Sequence, residues 1–155
     1  MIRFNKIVLT TDLSENASVA TPYAIDLAKK YGGSIELLHV CEDTVYYASA
    51  AAAEGFVVDM EEFSAKIAKD REAALKVAAD AIATQHGIKV TAVLRKGHAA
   101  NEIVAYTKEA KPDVLVIATH GRTGLSHLIF GSVAERVIRM CGCPVLSVRP
   151  EVAKN

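Results

Sequence analysis

An open α/β architecture, a mainly parallel five-stranded sheet with helices on both faces, is the fold class this chain predicts. Three observations carry it. Five short apolar or β-branched runs alternate with segments of helical periodicity, the pattern of right-handed strand–helix–strand crossovers. Two of those runs, Ile7 to Leu9 and Val114 to Ile117, are apolar throughout, as strands buried on both faces must be. Glycines and prolines fall at the ends of the periodic segments and not inside them. At 155 residues the chain is expected to form a single domain, 1–155, large enough to bury a substantial core.

Lys6 to Thr10 is the first strand. Ala20, Tyr23, Ala24, Leu27, Ala28 and Tyr31 then recur at helical spacing, and Gly32-Gly33 can close that helix through a left-handed cap. Ser34 to Val40 is the second strand. From Phe63 to Gln85 a long helix carries Phe63, Ile67, Ala74, Ala78 and Ile82 as its apolar stripe, with Gly87 as its C-terminal cap. Lys89 to Leu94 is the third strand, and Ala100 to Ala110 the third helix, stopped by Lys111-Pro112. Val114 to Ala118 is the fourth strand. A helix over Val133 to Cys141, with Val133, Val137 and Ile138 facing inward, leads to a fifth strand at Val145 to Val148. The stretch from Asp43 to Asp59, with Tyr46-Tyr47 and an Ala50 to Ala53 run, is too apolar for a simple solvated loop. It reads as a short surface helix or as a lid or partner-binding surface.

The composition excludes several function classes. Acids and bases balance, 18 against 18, so no basic face drives nucleic-acid binding. No apolar run reaches membrane-spanning length and the first residues show no signal-peptide pattern, so a cytoplasmic location is expected. Cys41, Cys141 and Cys143 form no disulfide framework, and the Cys-Gly-Cys pair lacks both the CxxC spacer and a neighbouring His, so these cysteines read as structural. The five histidines show no metal-ligand spacing.

The most informative feature is Gly121-Arg122-Thr123-Gly124, followed after Leu125 to Phe130 by Gly131-Ser132. A glycine-rich turn between a strand and a helix lets several backbone N–H groups converge on one anion, and the helix N-terminus adds positive potential. Arg122 and Ser132 would add side-chain donors. Phosphate binding is the chemistry suggested; an ordinary tight turn is the alternative, since neither GxxxxGK[ST] nor GxGxxG is present. In an open sheet of this kind ligands sit beyond the strand C-termini, where Thr10-Thr11-Asp12, Val40 to Asp43, Lys96-Gly97-His98 and Thr119-His120-Gly121 end. Asp12 could accept from ribose hydroxyls or cap the first helix, a role that suits Ser14 better. The Val40 backbone could read an adenine edge. His120 is beside the glycine turn, and with no other candidate base there an enzyme is the weaker reading.

The chain resembles the universal stress protein family over nearly its full length. The residues that carry the resemblance are Ile7-Val8-Leu9-Thr10-Thr11-Asp12, Leu37-Leu38-His39-Val40, Asp113 through Gly121, Gly131-Ser132-Val133-Ala134-Glu135 and Pro144 through Val148. ATP-binding members carry a glycine, two residues, a second glycine, nine residues, then Gly-Ser or Gly-Thr. Gly121, Gly131 and Ser132 match, whereas Ala118 stands at the first glycine position and Ala99 replaces a proline common after the third strand. The resemblance implies an adenine nucleotide alpha hydrolase-like, Rossmann-like fold and ATP as ligand, with Mg²⁺ able to accompany it and little or no hydrolysis. It places Asp12 and the Val40 backbone at the adenosine, with Thr10 and Thr11 on the same wall. Gly121, Arg122, Gly131, Ser132 and Val133 would surround the phosphates, with Ala118 near the ribose. It further implies a stress-response role and a homodimer paired through Val145 to Val148. A relative lacking nucleotide binding and acting through protein partners is the competing expectation.

Overall fold

A computed structural model describes residues 2–42, 53, 59–119 and 131–149. Five strands, β1 (Lys6–Thr10), β2 (Ser34–Cys41), β3 (Val90–Lys96), β4 (Val114–Ala118) and β5 (Val145–Val148), form one sheet in the order β3-β2-β1-β4-β5. Every pairing in it is parallel. Among the described residues the helical elements are α1 (Glu15–Ser18), α2 (Thr21–Tyr31), α3 (Met60–His86), α4 (Ala99–Ala110) and α5 (Ser132–Met140). The chain runs outward from β1 in one direction through β2 and β3, then returns past β1 to β4 and β5. Chain order therefore reverses between β1 and β4.

Strand alternation distributes the core to two faces. Ile7, Leu9, Ile35, Leu37, Val114 and Val116 meet Ala24, Ile25 and Ala28 of α2 and Leu75 and Ala79 of α3. Val8, Leu38, Val40, Leu115 and Ile117 meet Ala100, Ile103 and Val104 of α4 and Ala134 and Val137 of α5. This period-2 split is what an apolar strand with a helix layer on each side produces.

The structure corrects the expected boundaries and stripes at several points. The α3 stripe is centred on Ala68, Leu75 and Ala79, with Phe63, Ile67, Ala78 and Ile82 half-buried beside it and Ala74 exposed. Ala74 lies a full 100° around the helix from Leu75, and the large residue wins the sheet contact. The helix also starts earlier, at Met60, because the Asp59 side chain accepts from the Glu61 and Glu62 amides and so caps it. On α5 the inward residues are Ala134 and Val137, while Ile138 is exposed. β3 continues past Leu94 through Arg95 and Lys96, which pair with Val40 and Cys41 of β2. The segment from 43 to 58, apart from Ala53, lies outside the described residues.

Candidate functional site

The end of β1 is organised by local hydrogen bonds. The Thr11 amide donates to the Leu38 carbonyl at 2.9 Å, tying the loop to β2. The Leu13 amide donates to Thr11 Oγ1 at 3.0 Å, and Leu13 takes up φ 63°, which turns the chain into α1. Asp12 Oδ1 accepts from both the amide and the hydroxyl of Ser14, and Ser14 Oγ in turn accepts from the Ala17 amide at 3.3 Å. Ser14 is thus the helix cap, and Asp12 holds the cap. Buried His39 places Nδ1 2.8 Å from the Thr11 carbonyl; only the ring N–H can donate there, which sets its tautomer.

Two helix N-termini open onto the same end of the sheet. α5 begins at Gly131, which supplies no side-chain cap, so its first-turn amides have no side-chain acceptor from that position. The Gly131 amide donates to the Thr119 carbonyl at 2.7 Å, and a Cβ at Gly131 would stand 3.1 Å from that oxygen. Gly131 has ordinary φ of −69°, so close approach and not conformation is what its missing side chain provides. α4 begins after His98, again without a side-chain cap from that residue. Its Ala99 amide instead donates to Glu42 Oε1 at 3.2 Å, a carboxylate brought from the end of β2. Gly97, at φ 134°, makes the turn that joins β3 to α4.

A cavity of about 660 Å³ lies over this end of the sheet, bordered by the C-termini of β1, β2 and β4 and by the first turns of α4 and α5. It falls at the point of chain reversal, where open α/β sheets take their ligands, and its size suits a small-molecule ligand. Of the residues singled out in the sequence, Thr10, Thr11, Asp12, Val40, Ala118, Gly131, Ser132 and Val133 all line it. His120, Gly121 and Arg122 lie outside the described residues. Thr10 and Val40 are buried, Ser132 is exposed, and the rest are half-buried.

Sequence reasoning did not bring Ile67, Arg71 or Arg136 to this cavity, which they also line, whereas Glu42 falls in the Val40 to Asp43 segment expected at this end. Ile67 was read only as part of an apolar stripe. Arg71 carried no local signal, because only the packing of α3 against the sheet brings it to the cavity. Arg136 had one available signal, its position one turn after Ser132 on the same helix face. Among the described residues no cluster of three or more His, Cys, Asp or Glu is arranged to hold a metal ion. No helix among them is long and apolar enough to cross a membrane.

The cysteines stand away from this cavity, except for Cys41. Cys141 and Cys143 are unoxidised with sulfurs 3.5 Å apart, at the start of β5 and thus at the opposite end of the sheet. Burial, helped by the hydrogen bond with Cys141, pushes the Cys143 thiol up to about 12.

A parallel sheet with helices on both faces and a ligand-sized cleft at its point of chain reversal, flanked by two helix N-termini, defines an open α/β protein of Rossmann-like architecture. The universal stress protein family model matches residues 3–149, and the chain belongs to that family. It is 34% identical over 146 residues to the universal stress protein MJ0531 of Methanocaldococcus jannaschii, covering 94% of this chain and 82% of that one. It is 30% identical over 149 residues to YxiE of Bacillus subtilis, covering 94% and 99%. The solved structure of MJ0577 superposes with a TM-score of 0.78 at 25% identity over 98% of this chain and all of that one. The same fold recurs in a universal stress protein in complex with cAMP (TM-score 0.66, 18% identity, covering 95% and 98%). It recurs also in one from Archaeoglobus fulgidus in complex with dAMP (TM-score 0.61, 22% identity, covering 95% and 98%).

Proposed function

We propose that this chain is a nucleotide-binding stress-response module with ATP as its ligand and little or no hydrolysis. The observation that carries the reading is the cavity at the β1–β4 reversal, where Gly131 and Ser132 open α5 without a side-chain cap. Unclaimed helix amides beside a close-approach glycine suit a phosphate group. The cAMP and dAMP complexes of the two fold relatives support an adenine nucleotide as the class of ligand.

In this reading Asp12 and the Val40 backbone hold the adenosine, and Thr10 and Thr11 form the same wall. The Ala118 methyl group borders the ribose. Gly131, Ser132 and Val133, with His120, Gly121 and Arg122, surround the phosphates, and Mg²⁺ accompanies them without a protein-built site. The chain acts as one domain, 1–155, in the cytoplasm, as a homodimer paired through β5. That strand is an edge of the sheet with one unpaired side, which favours such pairing.

The test is a thermal melt with millimolar ATP–Mg, with GTP in parallel. A ligand at a hundredfold over its Kd stabilises by about 2.7 kcal/mol, or roughly 5–10 °C for a domain of this size. A shift with ATP that Asp12→Ala removes is the expected result. A flat response to both nucleotides would move the function to the partner-binding members, with the segment 43–59 as the surface to mutate next.

A further inference from the structure

Among the described residues two half-buried arginines stand in contrasting situations. Arg95, on edge strand β3, is fully engaged: its Nε is 3.1 Å from Glu102, and its two terminal nitrogens are 3.0 and 3.1 Å from Glu109. Arg71, on α3, is half-buried as well, yet among the described residues it has no ion-pair or hydrogen-bond partner. Its side chain borders the cavity instead. A partly desolvated guanidinium ordinarily takes an anion, because five fixed donors are costly to leave unmatched.

A second arginine meets the same cavity from the other side. Arg136 is one turn beyond Ser132 on α5, and helical side chains lean toward the N-terminus, so it covers the turn that carries Ser132. Among the described residues it too has no acidic partner. Among the described residues neither Asp12 nor Glu42, the carboxylates that line the cavity, is ion-paired with Arg71 or Arg136. Asp12 accepts from Ser14, and Glu42 accepts from the Ala99 amide.

We propose that Arg71 and Arg136 make this cavity a site for nucleoside polyphosphates, each contacting phosphates beyond the first. The proposal rests on the nucleotide reading above and deepens it. α3 packs on one face of the sheet and α5 on the other. The two guanidinium groups therefore approach the cavity from opposite sides, and a single phosphate would have to bridge them both. A chain of phosphates meets them without that constraint, and its higher charge matches two unpaired cations.

Binding of AMP, ADP and ATP to the full chain, measured by calorimetry with Mg²⁺ present, tests this. The intact protein should bind ATP at least about tenfold more tightly than AMP, the scale of one charge-assisted contact. Arg71→Gln and Arg136→Gln should each weaken ATP by about tenfold while changing AMP by less than about twofold. Arg71→Lys should recover part of the loss. Arg136 is exposed, so its substitution leaves the fold intact even where Arg71→Gln lowers the melting temperature. Equal affinity of the intact protein for AMP and ATP would overturn the proposal and leave the nucleotide site standing. Equal losses of AMP and ATP in both variants would overturn it too, by assigning the arginines to the nucleoside or to the fold. No binding of any of the three would instead remove the nucleotide reading itself.

Discussion

The two ends of the sheet spend their polar groups differently. At the end where the strands begin, the chain satisfies itself. Asp113 Oδ2 accepts the Asn5 and Lys6 amides at 2.7 and 2.8 Å, and Lys6 Nζ reaches the Ala110 carbonyl at 2.9 Å and Glu36 at 3.2 Å. Gly33 is packed so closely that a Cβ there would lie 2.4 Å from the Phe4 carbonyl oxygen. Where the strands finish there is a cavity, Gly131 supplies α5 with no side-chain cap, and among the described residues Arg71 and Arg136 have no acidic partner. One end closes the fold; the other borders the cavity.

The same substitution at one glycine from each end should show this most clearly. Gly33→Ala forces backbone to move and should cost about 3 kcal/mol, the upper range for overpacking, read in a denaturant melt. Gly131→Ala meets, among the described residues, one oxygen at 3.1 Å and should cost less than about 1 kcal/mol. Its effect should appear in ATP affinity instead, as a loss of about tenfold. Matching stability losses at the two positions would erase the distinction.

A smaller effect is expected at Asp113. Asp113→Ala leaves the Asn5 and Lys6 amides without their acceptor and should destabilise by about 1–2 kcal/mol, with nucleotide affinity unchanged. The smallest effect concerns pH. The Cys143 thiol is raised from 9.0 to about 12, chiefly by burial. A raised acid contributes its full stability below the unfolded pKa and loses it as pH climbs through the folded value, here between about 9 and 12. Tyr106 is raised as well, first by burial and then by its hydrogen bond to Glu36, and adds a loss of the same sign at higher pH. Stability should therefore fall above about pH 9, and Cys143→Ala should flatten the early part of that fall. An unchanged slope would show that the buried thiol carries no such linkage.

Much of the architecture was legible because the strands are short and strongly patterned. Lys6–Thr10, Val114–Ala118 and Val145–Val148 coincide with the apolar runs that predict them. Where pattern and structure part, a tertiary contact is responsible. Arg95 looks like the end of a strand, yet the backbone stays paired because Glu102 and Glu109 of α4 hold the guanidinium. Ala74 and Leu75 look interchangeable as stripe positions until the sheet chooses the larger one. At the cavity, Asp12, Val40, Gly131 and Ser132 were found because each ends a strand or begins a helix, and strand ends converge in this fold class. Arg71 was not, since it reaches the cavity only through the packing of α3 against the sheet.

The position of β1 has a consequence for how the protein is made. β1 pairs with β2 on one side and β4 on the other, and the Lys6 amide finds its Asp113 acceptor 107 positions along the chain. During synthesis the first strand emerges early, and β2 and β3 can join it soon after. Its other edge, with Ile7, Val8 and Leu9, stays open until residues 114–118 leave the ribosome. Long-range parallel pairing is slow, and an open apolar edge invites the wrong neighbour. The newborn chain is thus at its most vulnerable to aggregation between completion of β3 and arrival of β4, the interval in which a holding chaperone would protect it best.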